Sequence, residues 1–493
     1  MSFNSYLFIF LFLPLAWAGY FGLHRLGARM APVAKLYLIG MSLWFYGYFH
    51  PWYLLLLMSS IGVNYLLYRG LRTIRENRMR HLLLLAGLAF NIGLIFYFKY
   101  FAFFASNLSR LLGTDWTLRE VLLPLGISFF TFQQISFLID AWRNETGDYK
   151  LTDYALFVSF FPQLVAGPIV LHTELIPQLQ DPQRAKPDPG MMVRGIQLFT
   201  LGLAKKLLLA DVLGPAVAWG YTWSMELSAL EAALVILSYT FQIYFDFSGY
   251  SDMAIGLGLL FHLELPANFR SPYRALSITD FWRRWHLTLT RFLTHYIYIP
   301  LGGNRRGRLR TYGNILVVFL VSGLWHGANW TFILWGLLHG LCQCLERACG
   351  KLSERLGPQL LSILLPLRWA VTFGLVNLGW ALFRADSVGQ WGELLTRFTT
   401  GDRTVRTELL EFYRLPKIRY MLRFLPLPEG EQTELIASAL LLMAICLCLC
   451  LLPRNNAERE LKTNHLSLAV TAALFLVCII SLGQVSVFLY FNF

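Results

Sequence analysis

Charge is what this sequence has least of: Asp, Glu, Lys and Arg make up 14% of its 493 residues, against 56% hydrophobic side chains. A soluble core of that length cannot bury so much apolar surface, which excludes the ordinary soluble classes and makes a bilayer the solvent. Acid is scarcer than base, 29 Asp and Glu against 42 Lys and Arg, for a formal net charge of +13. The excess does not gather on one polar face, as nucleic-acid binding requires. It sits in short clusters between apolar runs: Arg72, Arg75, Arg78 and Arg80; Arg305, Arg306, Arg308 and Arg310; Arg454, Arg459 and Lys462. Cytoplasmic loops facing anionic lipid headgroups have this pattern, so a bilayer and no nucleic acid is the expected partner.

Several motifs are also missing. The chain has no Walker phosphate loop, HExxH, G-x-S-x-G elbow or glycine dinucleotide fingerprint, which disfavours nucleotide-driven transport, zinc proteolysis and ordinary serine esterases. Seven cysteines lie in or beside apolar segments without disulfide or zinc spacing, so they read as packing residues and no metal is expected. Ala16-Trp17-Ala18 imitates a signal-peptidase site, but no positive residue precedes the apolar run, which reads as a retained span. No repeat, heptad or low-complexity tail is present.

What is present is a succession of apolar runs, near 5–23, 36–49, 51–69, 82–104, 120–141, 190–210, 228–247, 312–345, 367–384, 434–452 and 466–489. Crossing a hydrocarbon core takes ~20 residues. The expectation is an all-α polytopic membrane protein of about eleven spans in a single integral-membrane domain: N-terminal spans to residue 150, a core over 151–345, and C-terminal spans over 346–493. Basic residues His24, Arg25, Arg29 and Lys35 between the first two runs, and the Arg72 to Arg80 cluster, place those loops in the cytoplasm and the N-terminus outside. The stretch from Arg384 to Gln432, with Pro416, Pro426 and Pro428, is the largest extramembrane segment.

Three stretches resist reading as simple spans. Residues 157–170, FVSFFPQLVAGPIV, are apolar but broken by Pro162 and Pro168, which predicts a re-entrant or interfacial element. Residues 280–300 mix aromatics with Arg283, Arg284, His286, Arg291 and His295, and must lie at the interface or line a wet cavity. Residues 312–345 would extend about 50 Å as one helix, too long for one upright span and too short for two, with a break expected near GLWHGAN.

The residues that carry chemistry lie in these stretches. His326 stands about 22 Å beyond the Arg305 to Arg310 cluster if the run is helical, deep in the membrane, where a neutral imidazole can accept a proton. Gly323 and Gly327 beside it admit a backbone or a narrow substrate, and Asn329 and Trp330 would share its helical face. A histidine merely bonded to a neighbouring helix is the bland alternative. His286 follows Arg283 and Arg284, whose guanidiniums match the phosphates of coenzyme A, or those of lipids. Tyr244, Asp246 and Asp252 place hydroxyl and carboxylate groups in an apolar neighbourhood, with Arg270, Arg274, Arg283 and Arg284 as candidate partners in a structural ion-pair network.

Taken together, LPLGISFFTFQQISFLIDAWR, QIYFDFSGYSDMAIGLGLL, RSPYRA, WRRWH, PLGGNRRG, WHGANW and GWALFRADS resemble the membrane-bound O-acyltransferase family, and within it the bacterial alginate O-acetyltransferase branch. The resemblance implies a funnelled core with a tunnel joining the two membrane faces, with His326 at the family's essential histidine and His286 at its second. It further implies cytosolic acetyl-CoA as donor, with no permanently bound cofactor, and Arg283, Arg284, Trp285, Tyr244 and Asp246 as candidate donor-binding residues. Acetyl would leave on the outer side of the bacterial inner membrane for a polysaccharide, alginate-like in the first instance, through a separate periplasmic or extracellular Ser-His-Asp transferase. In this scheme His326 is the general base toward an acceptor hydroxyl and Asn329 a donor to the oxyanion; whether a covalent acyl-enzyme intervenes is left open. The rival readings are D-alanyl transfer to teichoic acid from a carrier protein, and a transporter or flippase without enzyme activity.

Overall fold

The computed structural model describes residues 1–114, 116, 122–353, 363–414, 431–452, 455–459, 461–483 and 488–489, with helices and their connections and no strand among them. Five of the described helices are long and apolar enough to cross a membrane: Phe8–Arg25, Trp52–Thr73, Asn77–Leu112, Ala229–Leu260 and Glu431–Leu451. The protein is an all-α polytopic membrane protein. The expected spans near 36–49, 120–141 and 190–210 fall on helices of 16 or 17 residues, and residues 415–430 of the 384–432 stretch, its three prolines among them, lie outside the described residues. The chain divides into two compact units, one of Met1–Leu203, Tyr250–Ala267 and Leu461–Asn492, the other of Ala204–Gly249 and Asn268–Glu460.

The first unit opens with α1 (Leu13–Arg25), α2 (Ala31–Gly47) and α3 (Trp52–Thr73). After α4 (Asn77–Ile95) the chain passes through a π turn at Phe96–Tyr100 into α5 (Phe101–Leu112). Next, α6 (Ile127–Trp142) is buried along almost its whole length, so its polar side chains must find partners inside the protein. Gln134 donates to the Ser60 hydroxyl at 2.9 Å and accepts from Tyr154 at 3.1 Å, while the amides of Asn64 on α3 and Asn91 on α4 bond each other at 2.6 and 3.3 Å. Such reciprocal pairs hold helices together where apolar attraction is weak.

Residues 157–170 form the end of α7 (Leu151–Ser159), the single turn α8 (Phe161–Leu164) and a bent connection, all buried within this unit. The irregular backbone is tolerated because protein surrounds it. Gly126, at φ +74°, touches it: a Cβ there would lie 2.7 Å from the Leu164 carbonyl oxygen. Two more helices, α9 (His172–Gln180) and α10 (Pro189–Ala204), complete the first 203 residues.

The second unit holds α11 (Asp211–Thr222), the part of α12 (Ala229–Leu260) up to Gly249, and two short helices, α13 (Ile278–Trp282) and α14 (Leu287–Leu293). The 312–345 run proves to be a hairpin of α15 (Arg308–His326) and α16 (Trp330–Ser353), broken at the expected place. Polar ends, Arg308 and Arg310 on one helix and Glu346 and Arg347 on the other, carry both helices past the apolar window and make room for two. Glycines let them touch. A Cβ on Gly323 would lie 2.3 Å from the Phe332 carbonyl oxygen, and one on Gly336 the same distance from that of Phe319, so backbone meets backbone as in small-xxx-small packing. The chain continues with α17 (Leu365–Arg384), α18 (Val388–Thr400), α19 (Thr407–Glu411) and α20 (Glu431–Leu451); α21 (His465–Ile480) belongs to the first unit.

Candidate active site

His326 is the last residue of α15, and Gly327 after it is already extended. The helix therefore stops at the histidine, which corrects the expectation that Asn329 and Trp330 share its helical face. Asn329 instead pins the turn: its amide donates to the Asp386 carbonyl at 2.9 Å and its oxygen accepts from the Thr331 N–H at 3.2 Å. The space beside Gly323 and Gly327 goes to α16, whose Phe332 ring lies where a Gly327 Cβ would be. His326 itself is buried, boxed by Trp325, Trp335 and Phe383 at ring-centroid distances of 5.0 to 5.1 Å.

His286 enters from the corner between α13 and α14, its ring centroid 6.3 Å from that of His326. It is fully buried and holds a left-handed backbone, φ +45°, which a non-glycine residue adopts only where neighbours enforce it. Asn268 enforces it. Its backbone carbonyl accepts from Leu287 N–H at 3.0 Å, and its side-chain oxygen accepts from the Thr288 N–H and hydroxyl at 3.3 and 3.0 Å. The same oxygen lies 3.1 Å from His286 Nδ1. Two Thr288 donors fix that atom as oxygen, so Nδ1 must carry the hydrogen and, in the neutral ring, Nε2 is left as the acceptor. Nε2 is buried and, among the described residues, has no hydrogen-bond partner. The arrangement thus presents a lone pair beside a second imidazole.

The corner is held from α16. The Glu346 carboxylate accepts from the N–H groups of Ile278 and Thr279 and from the Thr279 hydroxyl, capping the start of α13 with negative charge. That fixes Trp282 and Arg283 at the end of α13, where they line a cavity of about 350 Å³ among α13, α14, α15 and α16. Arg347 and Gln343 also line it, as does Ser322, one helical turn before His326. The wall is mostly apolar, with cations and an amide among its polar groups.

Of the five residues expected to bind the donor, Tyr244 and Trp285 meet, their ring centroids 6.2 Å apart, and the others go elsewhere. Arg283 lines the cavity, while Arg284 pairs with Asp280 at 2.8 Å. Trp285 is buried among Phe269, Phe281 and Trp380, and Tyr244 packs against Tyr273. Asp246 pairs with Lys206 at 2.6 Å, and Lys206 also reaches Asp211 at 2.8 Å, a partner the sequence reading passed over in favour of arginines.

Two further residues escaped the sequence reading. Asn268 is one. The other is His339, buried on α16 between Trp282 and Trp335 at 5.3 and 5.1 Å, with neither ring nitrogen hydrogen-bonded among the described residues. The nitrogens of Trp282 and Trp335 and the hydroxyl of Ser322 are likewise buried and unpartnered. A signal existed, since His339 and Trp335 stand in the apolar run that carries His326.

A family model described as membrane-bound O-acyltransferase matches residues 91–359, more than half of the chain and the stretch that holds both imidazoles. The chain belongs to the membrane-bound O-acyltransferase family. It is an acyltransferase, which sets aside the reading as a transporter without enzyme activity. The peptidoglycan O-acetyltransferase of Helicobacter pylori is 43% identical over 413 residues, covering 79% of this chain and 78% of its own. The probable alginate O-acetylase of Pseudomonas aeruginosa is 38% identical over 397 residues, covering 79% and 73%. The teichoic acid D-alanyltransferase of Bacillus subtilis is more distant, 25% identical over 227 residues and 44% of this chain. Within this acyltransferase, Asn268, His286, His326 and His339 all fall inside the matched region, whereas Phe383 lies beyond it.

Proposed function

We propose that this acyltransferase takes acetyl from cytosolic acetyl-CoA and passes it across the bacterial inner membrane for O-acetylation of a cell-envelope polysaccharide. The observation that carries the reading is the imidazole pair, His286 presenting an unpartnered Nε2 next to His326. The cavity lined by Arg283 and Arg347 supports a donor path: guanidiniums suit the phosphates of coenzyme A, and the apolar wall leading to Ser322 suits its narrow arm. The Arg305 to Arg310 cluster lies across the start of α15, and positive charge there favours a cytosolic start for that helix and, by the same rule, an N-terminus outside.

In the proposed step an imidazole of the pair, His326 in the first place, removes the proton of an acceptor hydroxyl. The freed oxygen attacks the thioester carbonyl, the carbon–sulfur bond breaks, and the imidazolium returns the proton to the departing thiolate. Because the relatives named above are assigned peptidoglycan and alginate, the acceptor polymer is of that class, reached through a separate Ser-His-Asp transferase outside the membrane. D-alanyl transfer is the less favoured reading, given the lower identity and shorter match to its representative.

The test uses purified protein and acetyl-CoA labelled in the acetyl group. Free CoA and a labelled acceptor are expected, with a D-alanyl carrier protein giving neither; activity with the carrier alone would reverse the choice of donor. In cells, deletion of the gene should remove O-acetyl from either the peptidoglycan or the exopolysaccharide fraction, and the fraction affected names the acceptor.

A further inference from the structure

The α1–α2 connection, in the first unit, encloses a cavity of about 870 Å³ that the acyl-transfer reading does not use. Its wall carries Arg25, Lys35, Arg184 and Lys186 against one carboxylate, Asp181. Two of the cations are committed: Lys35 to Asp153 at 2.6 Å, and Arg184 to the His262 carbonyl at 2.8 Å and to Glu264 at 3.4 Å. Among the described residues the side chains of Arg25 and Lys186 make no ion pair or hydrogen bond, and His24 Nε2, shielded from solvent, has no partner. Gly27, at φ +115°, turns the rim with open space where a side chain would be.

Position narrows the ligand. The segment Phe8–Arg25 is long and apolar enough to span, so its end, and the cavity with it, lies at headgroup depth. Exposed Leu26, Val33 and Leu36 around the connection offer an apolar surface for acyl chains. A guanidinium, an ammonium and an imidazole N–H converging on one space at that depth match the oxygens of a phosphate ester.

We infer that this cavity binds the phosphate headgroup of an anionic phospholipid, which ties the α1–α2 hairpin to the α9–α10 connection of the same unit. The site is independent of the acyl-transfer reading, and its failure would leave that reading intact.

Native mass spectrometry of the full chain, taken from nanodiscs of phosphatidylcholine with phosphatidylglycerol, tests it. One retained phosphatidylglycerol per chain is expected, and the double variant Arg25→Gln/Lys186→Gln should weaken retention about thirtyfold, with acetyl transfer unchanged. Arg29→Gln, in the same connection but outside the cavity wall, should leave retention as it is. Equal losses in the two variants would mean diffuse attraction to a basic loop and would overturn the site. Retention of phosphatidylcholine as strong as that of phosphatidylglycerol would do the same, and displacement of the lipid by inorganic phosphate alone would make the ligand a soluble phosphate instead. If the double variant is unstable, His24→Gln, which removes no charge, should still weaken retention.

Discussion

The amide cluster of Asn64, Asn91 and Gln134 among α3, α4 and α6 closes on itself, although Gln133 Oε1 of α6 finds no partner among the described residues, whereas the seam below His326 stays open. In the first, Asn64 and Asn91 exchange hydrogen bonds and Gln134 is met on both ends of its amide. In the second, His286 Nε2, both nitrogens of His339, the indole nitrogens of Trp282 and Trp335, and the Ser322 hydroxyl are buried without partners. An unmet buried polar atom costs ~1–3 kcal/mol, so a cluster of them persists only if something other than stability keeps it. Polar groups in the first seam join helices; on the acyl-transfer reading proposed above, those in the second serve the reaction.

The comparison breaks most directly at His326. His326→Ala should lower acetyl transfer at least ~100-fold, the scale of a lost general base, while expression and membrane insertion persist. Unchanged acetylation of the polymer would remove His326 from the mechanism. Next comes Asn268→Ala, which frees the left-handed turn and the tautomer of His286. Loss of those bonds should reduce kcat roughly tenfold to a hundredfold with little change in donor KM. A drop in KM-limited binding alone would show that the turn positions the donor and not the base.

His339→Phe sharpens the contrast. It keeps a flat ring, one atom larger, and removes two unmet nitrogens, so stability should hold or rise by ~1 kcal/mol. If those nitrogens serve the reaction, transfer falls about tenfold in a protein at least as stable as the parent. Full activity would reduce His339 to packing.

Much of this division can be read before any coordinates. A histidine inside an apolar run and a break at its glycines follow from bilayer cost and helix length, and both appear. The parts that could not be read depend on contacts distant in sequence: Asn268 acts on His286 from 18 residues away, and Phe383 joins the His326 box from another helix. The Asn329 expectation failed for a local reason, since i+3 spacing means a shared face only while the helix continues, and it ends at residue 326. Apolar runs alone do not count spans, since a helix such as α6, 16 residues long, is buried in protein along almost its whole length and so is apolar without being long.

The smallest effect is expected at the closed seam, and it concerns stability alone. Asn64→Leu leaves the Asn91 side-chain oxygen unmet and should cost ~1–2 kcal/mol in detergent unfolding, as should Asn91→Leu for that of Asn64. Together the two substitutions remove both halves of the pair, and the double variant should recover most of the loss, because replacing both partners with apolar groups leaves nothing unsatisfied. Acetyl transfer per folded molecule should stay at the parent value in all three. If instead transfer falls while the double variant is as stable as the parent, then this seam too serves the reaction, and partnered and unpartnered polar groups can no longer be sorted into structural and functional by their hydrogen bonds.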